Sequence, residues 1–307
     1  MNAHVLTKNG WQFIDSSNMT EHLPAGVYEP RFDYHEGLFL YRAVAWDTDR
    51  PIDLPNPTSR AARALASRFF HREFRTQLQR MQVGERLAFL LWGVPGSGKS
   101  ICLRQLTEDA IAQDWVVLYG WSNYVVDAIH SIRKIEPDRG IMLAIEELDT
   151  TLKRPADEED AVYPYDFDAE NALLQLLDGN AAIQGILVVM TTNHLRNIPA
   201  RVFQRARRIT NQFEFVAPTR AERLAFFAHH FALAGVEVHE EIELRSLGYN
   251  LELWADRTEG LTLDQCAALV IAVAGYGQDF ATVHADFASR IKARKSGNDE
   301  SDEETAT

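Results

Sequence analysis

The sequence is poor in cysteine, in long apolar runs and in positive charge. Its two cysteines, Cys102 and Cys266, form neither a disulfide framework nor a metal-ligand pattern, so we expect a reducing compartment. No apolar run approaches the roughly 18–20 residues that cross a bilayer. The first residues also lack the charged-then-apolar layout of a signal peptide. We therefore expect a cytoplasmic protein without a membrane anchor.

Charge argues against one class of partner. The chain carries 31 Lys and Arg residues against 44 Asp and Glu, a formal net charge of −13. Proteins that bind nucleic acid nonspecifically rely on basic surfaces that neutralise phosphates. Nucleic acid is therefore an unfavoured partner for this chain.

One glycine-rich segment carries the strongest motif of the sequence. An apolar run from Leu87 to Trp92 leads into it, and a helical pattern from 100 to 112 follows. This strand, turn and helix order is the context that a phosphate-binding P-loop requires. Glycines let backbone N–H groups close around a polyphosphate, while Lys99 reaches its β- and γ-phosphates and Ser100 ligates Mg²⁺. The segment consists of Gly93, Val94, Pro95, Gly96, Ser97, Gly98, Lys99 and Ser100. The alternative is a glycine-rich turn that binds no ligand.

The chain after this motif alternates between strand and helix patterns. Such alternation indicates a parallel sheet with helices on both faces. We expect an α/β fold, a P-loop NTPase with a parallel five-stranded sheet, followed by a small all-helical domain. The strand-like runs are 87–92, 115–119, 141–145, 186–191 and 213–215, and the helical patterns between them are 125–135, 169–177 and, less clearly, 199–207.

Four regions are expected along the chain. Residues 1–58 read as an irregular or short-stranded N-terminal extension, possibly one that docks a substrate, and 59–216 as the α/β domain. Residues 217–294 are helical without strands, and 295–307 are acidic and lack large apolar side chains, which is typical of disorder. Helix is expected from 59 to 81, 220 to 234, 241 to 254, 262 to 274 and 280 to 293.

Two carboxylates follow the apolar run 141–145. A P-loop ATPase places its Walker B acids at such a strand end, where one acid organises Mg²⁺ and the next polarises the attacking water. We assign Glu146 to the metal and Glu147 to the water. The alternative is an exposed pair of glutamates at a strand end.

Polar residues also follow the next strand. Asn193 comes directly after it and is placed to orient the attacking water through its amide, although a polar strand cap is the alternative. Arginine suits developing phosphoryl charge, and an arginine finger comes from a neighbouring subunit. A finger role for these arginines predicts that the subunits form a ring. The alternative is that they belong to a basic surface helix, which implies no ring. The arginines here are Arg196, Arg201, Arg205, Arg207 and Arg208.

Together these motifs resemble those of the AAA (AAA+) ATPases, over a match from about Phe70 to Arg294. The resemblance implies a homo-hexameric ring that hydrolyses ATP, with the nucleotide held between the α/β domain and a helical lid. Asn193 matches the sensor-1 position, and Arg205 with Arg208 matches the pair of finger arginines. The matching segments are Gly93–Ser100, Ile145–Asp149, Asn171–Gly179, Val188–Asn193, Pro199–Arg208 and Thr258–Thr262.

Some features set the chain apart within that family. A lid arginine of the sensor-2 type has no match near Thr262, which places the chain nearer the substrate-threading branch. Walker B usually reads Asp-Glu, whereas here it is Glu146-Glu147. An extra residue follows Pro199, so the finger alignment can shift to Arg207.

Aromatic residues follow the second strand, where the family's first pore loop falls. Tyr124-Val125 resembles its aromatic–hydrophobic pair, with Trp121 as the alternate. Flat rings wedge against any peptide without reading its sequence. The alternative is that both rings pack in the core. The second pore loop corresponds to residues 153–168, for which a solvated insertion is an equal alternative.

These features predict a protein-remodelling ATPase whose partner is another protein. The compact build resembles bacterial relatives of the pachytene-checkpoint family, which act on HORMA-domain proteins in defence signalling. Two alternatives stay open. One is a nucleic-acid-associated ATPase, such as a helicase loader or a phage replication ATPase, and the other is an enzyme activase.

Overall fold

A computed structural model of the chain describes most of its residues. These are 2–7, 10–15, 21–35, 37–43, 52–82, 84–152, 169–178, 183–203, 208–209, 211–236, 250–287 and 289. The chain divides into two compact units. The first consists of Met1–Pro51, Pro57–Val94 and Lys99–Phe215, and the second of Ile52–Asn56, Pro95–Gly98 and Val216–Thr307.

The first unit contains the sheet and the helices that cover it. Its strands are β1 (Asn2–Thr7), β2 (Gly10–Asp15), β3 (Gly26–Asp33), β4 (Gly37–Arg42), β5 (Arg86–Gly93), β6 (Val116–Tyr119), β7 (Ile141–Ile145), β8 (Ile186–Thr192) and β9 (Asn211–Phe215). Its helices are α1 (Pro57–Phe70), α2 (Arg72–Arg80), α3 (Lys99–Ala112), α4 (Val125–Ile135), α5 (Leu148–Thr151) and α6 (Ala169–Asp178).

The predicted α/β fold is confirmed, and all five predicted strands are present. They lie side by side in the order β6-β7-β8-β5-β9, and every neighbouring pair is parallel. The P-loop strand β5 thus lies beside β8, and β8 lies beside the acid-bearing β7. Because parallel strands end at the same edge of a sheet, the segments after β5, β7 and β8 share one edge.

The sheet is larger than the sequence predicted. Strand β3 adds to the edge of β6 in parallel, and β4, β2 and β1 continue it in antiparallel pairs, which gives nine strands in the described residues. The short-stranded alternative for residues 1–58 fits β1–β4, but the pairing of 26–42 with β6 was not predicted. Tyr28 and Leu40 enter the core on one face of the sheet and Val27 on the other, so this segment gains its burial from distant partners.

Burial on both faces explains the continuous apolar runs of the central strands. In β6, Val116 and Leu118 pack on the face that α4 and α6 cover, and Val117 packs on the face of α1 and α3. The side chains of a strand alternate between faces, so a strand covered on both sides lacks a polar side.

The helix predicted from 59 to 81 is two helices. The backbone is extended at His71, with φ −78° and ψ 132°, so α1 ends at Phe70 and α2 begins at Arg72. Phe69 and Phe70 both meet the ring of Trp115 edge to face, at centroid distances of 5.8 and 4.9 Å. These contacts pack the end of α1 against Trp115, which directly precedes β6.

The second unit is helical throughout its described residues. Its helices are α7 (Arg220–Leu233), α8 (Leu251–Arg257) and α9 (Leu263–Val270), and residues 280–287 are also helical. Capping boxes at Thr219 and Thr262 fix where α7 and α9 begin. The ring of Trp254 packs against Phe231 and Phe280, at 4.8 and 4.6 Å. Of the helix predicted from 241 to 254, residues 241–249 lie outside the described residues.

None of the described helices has the length and apolar character needed to cross a membrane.

Candidate active site

The P-loop lysine is buried against its own loop. The Lys99 ammonium donates to the carbonyl oxygens of Gly93 and Val94, at 2.9 and 2.8 Å, and the residue is 6% exposed. Ser100 follows it in the first turn of α3 and is exposed. The start of this 14-residue helix favours an anion.

Gly93 has a packing role besides its place in the motif. It pairs with Phe215 across β5 and β9, and its φ is +142°. A Cβ atom at this position would lie 2.0 Å from the carbonyl oxygen of Phe215. Glycine is therefore required here by strand packing, which the motif alone did not indicate.

The tip of the P-loop, Pro95–Gly98, belongs to the second unit. The Leu263 N–H donates to the Gly96 carbonyl oxygen at 2.8 Å. Gly96 has φ +71°, and a Cβ atom there would lie 2.8 Å from carboxylate and hydroxyl oxygens of Asp264 and Thr262. The tip thus contacts the N-terminal turn of α9, which directly follows the segment Thr258–Thr262 that carries part of the family resemblance.

The two predicted Walker B glutamates differ in environment. Glu146 is half-buried and Glu147 is exposed, with a left-handed backbone at φ 49°. The Glu147 N–H donates to the hydroxyl of Thr191 at 3.1 Å, which ties the acidic turn to the end of β8. Since non-glycine residues rarely adopt positive φ, this turn is an unusual conformation.

A second polar pair lies beside the acids. The buried Thr192 hydroxyl donates to Asp149 Oδ1 at 2.7 Å, and Asp149 is 4% exposed. Asn193 follows Thr192 directly and is half-buried. The structure therefore brings the ends of β7 and β8 together, including Asp149 and Thr192, which lie in segments that match the family but received no role from the sequence.

Tyr119, at the end of β6, contacts the predicted metal ligand. Its hydroxyl donates to Glu146 Oε2 at 2.5 Å. Burial raises the pKa of the Tyr119 hydroxyl, and the hydrogen bond to Glu146 raises it further, so the tyrosine stays protonated. This contact joins two strands that pair in register at Tyr119 and Ala144, and nothing in the sequence signalled it.

Arg208, one of the two predicted finger arginines, is bonded to residues of its own chain. Its guanidinium binds both carboxylate oxygens of Asp178 in its own chain and also donates to the carbonyl oxygen of Arg201. With its guanidinium bonded within the chain and only 8% of the residue exposed, Arg208 is held by its own subunit in this conformation. The finger assignment of Arg208 stays a prediction. Arg205 and Arg207 lie outside the described residues.

The predicted pore loop is partly built into the core. Val125 is the first residue of α4 and is completely buried, so its prediction as a substrate contact was wrong. Trp121 is half-buried against the core. The ring of Tyr124 stacks on that of Phe32 from β3, with centroids 5.5 Å apart and planes 13° apart. The second predicted pore loop, 153–168, lies outside the described residues.

The described residues fit a magnesium ion that arrives with a nucleotide. They include no cluster of three or more histidine, cysteine or acidic residues able to hold a metal ion alone. Ser100 and Glu146 would supply a hydroxyl and a carboxylate oxygen to it. Magnesium is usually held in this way, by one or two protein oxygens together with phosphates and waters.

Comparison with known proteins supports the family resemblance. Residues 89–216 match the model of the ATPase family associated with various cellular activities (AAA). The chain is also similar to the vesicle-fusing ATPase of Caenorhabditis elegans, with 29% identity over 185 residues. That match covers 55% of this chain and 22% of the relative. Recognition of an AAA ATPase from the motifs is thereby confirmed.

Proposed function

We propose that the chain hydrolyses ATP to ADP and phosphate at the edge of the sheet where β5, β7 and β8 end. The observation that carries this proposal is the convergence of three segments on that edge: the P-loop, the acids Glu146 and Glu147, and Asn193. Similarity to a vesicle-fusing ATPase and the AAA family match over 89–216 support ATP as the nucleotide.

Each residue has a separate task in this proposal. Lys99 leaves its carbonyl partners and binds the β- and γ-phosphates, while Ser100 and Glu146 hold Mg²⁺. Bound magnesium would neutralise charge that develops on the phosphates. Glu147 polarises the attacking water, and its exposed carboxylate is accessible to that water. Asn193 orients the same water.

We further propose that the chain works as a hexameric ring. Hydrolysis would then need an arginine from the next subunit, because an added guanidinium stabilises the charge of phosphoryl transfer. Since Arg208 is bonded to Asp178, the first candidates are Arg205 and Arg207. Formation of the ring would make turnover depend on protein concentration.

The proposed task of the ring is to remodel a partner protein. Tyr124 and Trp121 are its candidate substrate contacts, and the exposed rings of Phe32 and Tyr34 extend this aromatic surface. Phe32 is 47% and Tyr34 is 92% exposed, and exposed apolar patches of this kind mark interaction sites. A HORMA-domain protein is the first partner to test, on the basis of the family resemblance.

Turnover of ATP by the purified chain, measured over a wide range of protein concentrations, tests the proposal. We expect turnover per subunit to rise steeply as sedimentation shows rings to form, and to be absent in Lys99→Ala. Full turnover by a proven monomer would contradict an active site that needs an arginine from the next subunit. A pull-down with Glu147→Gln, which should bind ATP without releasing its partner, then identifies the protein that is remodelled.

A further inference from the structure

The hydrogen bond from Tyr119 to Glu146 joins the two central strands at the edge where ATP is proposed to bind. Tyr119 ends β6, and the register places it opposite Ala144 of β7. Glu146 lies two residues beyond Ala144, so its side chain projects on the same side of the sheet. That side packs against α3, the helix that begins with Lys99 and Ser100.

The bond leaves half of the carboxylate for another ligand. The Tyr119 hydroxyl donates to Oε2 at 2.5 Å, and within the described residues no bond to Oε1 is found. A glutamate has one more rotatable bond than an aspartate, so its carboxylate samples more positions at a strand end. Because the Tyr119 side chain is rigid, its hydrogen bond to one carboxylate oxygen restricts the rotamers of Glu146. The position of the other oxygen is thereby fixed.

We propose that Tyr119 is a positioning residue, which holds the Glu146 carboxylate in place to bind Mg²⁺ with the nucleotide. The proposal rests on the proposed function, because it concerns the metal ligand of that same site. Tyr119 itself contacts neither ATP nor the metal. Partners that orient a metal ligand commonly change metal affinity by about 10- to 100-fold when they are removed.

The direct test compares metal binding by the wild-type protein and by Tyr119→Phe. Mn²⁺ serves as the probe, because its electron paramagnetic resonance signal reports binding in the presence of a non-hydrolysable ATP analogue. We expect Tyr119→Phe to weaken Mn²⁺ binding by about 10-fold. Binding of the analogue in the presence of a chelator should stay the same, since it does not involve the metal.

Tyr28→Phe is the matched control. It removes a tyrosine hydroxyl from the neighbouring strand β3, where that hydroxyl donates to the Pro24 carbonyl oxygen at 2.8 Å. A general effect of losing a buried hydroxyl would weaken Mn²⁺ binding in both variants. Such an equal loss would overturn the positioning role of Tyr119, whereas a loss confined to Tyr119→Phe supports it.

A double-variant cycle provides a readout that a merely structural role would not change. Glu146→Asp shortens the acid, so the Tyr119 hydroxyl should no longer restrain it. We expect Tyr119→Phe to change Mn²⁺ affinity by less than about twofold in the Glu146→Asp background, against about 10-fold in the native one. An equal change in both backgrounds would overturn the inference.

The proposed function and this inference fail in different ways. If the wild-type protein binds neither the ATP analogue nor Mn²⁺ in its presence, the proposed function is wrong and the inference falls with it. If the wild-type protein binds Mn²⁺ with the analogue and Tyr119→Phe binds it equally well, only the inference is wrong.

Discussion

Arg208 and Asp178 form a nearly buried, bidentate ion pair. The distances are 2.6 Å from Nε to Oδ1 and 2.8 Å from Nη2 to Oδ2, with 8% and 12% of the two side chains exposed. Paired N–H···O bonds of this kind fix orientation as well as distance. The pair therefore links Arg208 to the last residue of α6. The sequence analysis had assigned Arg208 as a finger arginine for the neighbouring subunit.

This ion pair predicts that Arg208→Ala mainly affects folding. Removal of one partner leaves a buried charge without compensation, which typically costs about 3 kcal/mol of unfolding free energy. Urea denaturation should show that loss for Arg208→Ala and little change for Arg205→Ala. Turnover of ATP should fall in Arg205→Ala if this arginine acts in trans. A normally stable Arg208→Ala protein that has lost turnover would support Arg208 as the finger.

Gly93 is expected to tolerate no side chain. In Gly93→Ala the new Cβ atom would collide with the Phe215 carbonyl oxygen, 2.0 Å away, so β5 and β9 must separate. We expect a loss of about 3 kcal/mol or more in unfolding free energy.

Gly26→Ala is the control for this substitution. Gly26 also lies in a strand of the sheet, but a Cβ atom there would meet only the Tyr28 ring at an ordinary 3.5 Å. Thermal melting of both variants distinguishes a steric requirement from a general sensitivity to alanine. Equal melting temperatures would contradict the packing role of Gly93.

The two cysteines should be inert and should make the fold sensitive to alkali. Burial raises the pKa of the Cys102 thiol to about 11 and that of Cys266 to about 12, from 9.0. Above pH 9 the unfolded chain loses these protons first, so the stability that they contribute is complete below that pH and is lost as pH rises through about 11.

Two measurements check this prediction. Dithiobisnitrobenzoate at about pH 8 should react slowly with the native protein and should detect two thiols after unfolding, because the thiolate is the reactive form. Denaturation as a function of pH should show a smaller loss of stability above pH 9 in Cys102→Ala than in the wild-type protein. Rapid reaction of either native thiol would contradict the predicted burial.

The sequence predicted the parts of the fold that local patterns determine. The helix from Val125 to Ile135 and the strand from Ile141 to Ile145 have the predicted bounds, since each is a continuous pattern that ends at a clear change. The break at His71 was missed because the apolar spacing continues through it. The bounds and pairing of strands β3 and β4 were not predicted because their stability comes from pairing with each other and with β6, which is distant in sequence.

In the candidate site, too, local motifs were predicted and contacts between distant residues were not. The P-loop and the acid pair were predicted because their chemistry requires fixed spacing along the chain. Tyr119, Asp149 and Thr192 were not, because their hydrogen bonds join different strands or loops. Arg208 was assigned from spacing alone, and no pattern in the sequence indicates that Asp178, thirty residues earlier, holds its guanidinium.

Tyr124 is expected to be required for partner remodelling. Removal of its ring abolishes both the stack on Phe32 and the aromatic contact proposed for the substrate. Tyrosines at such positions often contribute about 2 kcal/mol or more to binding. Tyr124→Ala should therefore remodel the captured partner at least about 10 times more slowly than Tyr124→Phe, which keeps the ring. Protease sensitivity of the partner reports the change, and equal rates for the two variants would contradict the contact.

Hydrolysis by Glu147→Gln, compared with Glu108→Gln, tests the proposed active site most directly. Glu147 is exposed after β7, and Glu108 is an exposed glutamate of α3 outside the site. Loss of the residue that polarises water should lower turnover of ATP by about 10²- to 10⁴-fold while binding of ATP persists. Glu108→Gln should turn over ATP as the wild-type protein does. Wild-type turnover by Glu147→Gln would contradict the assignment of the water-activating acid.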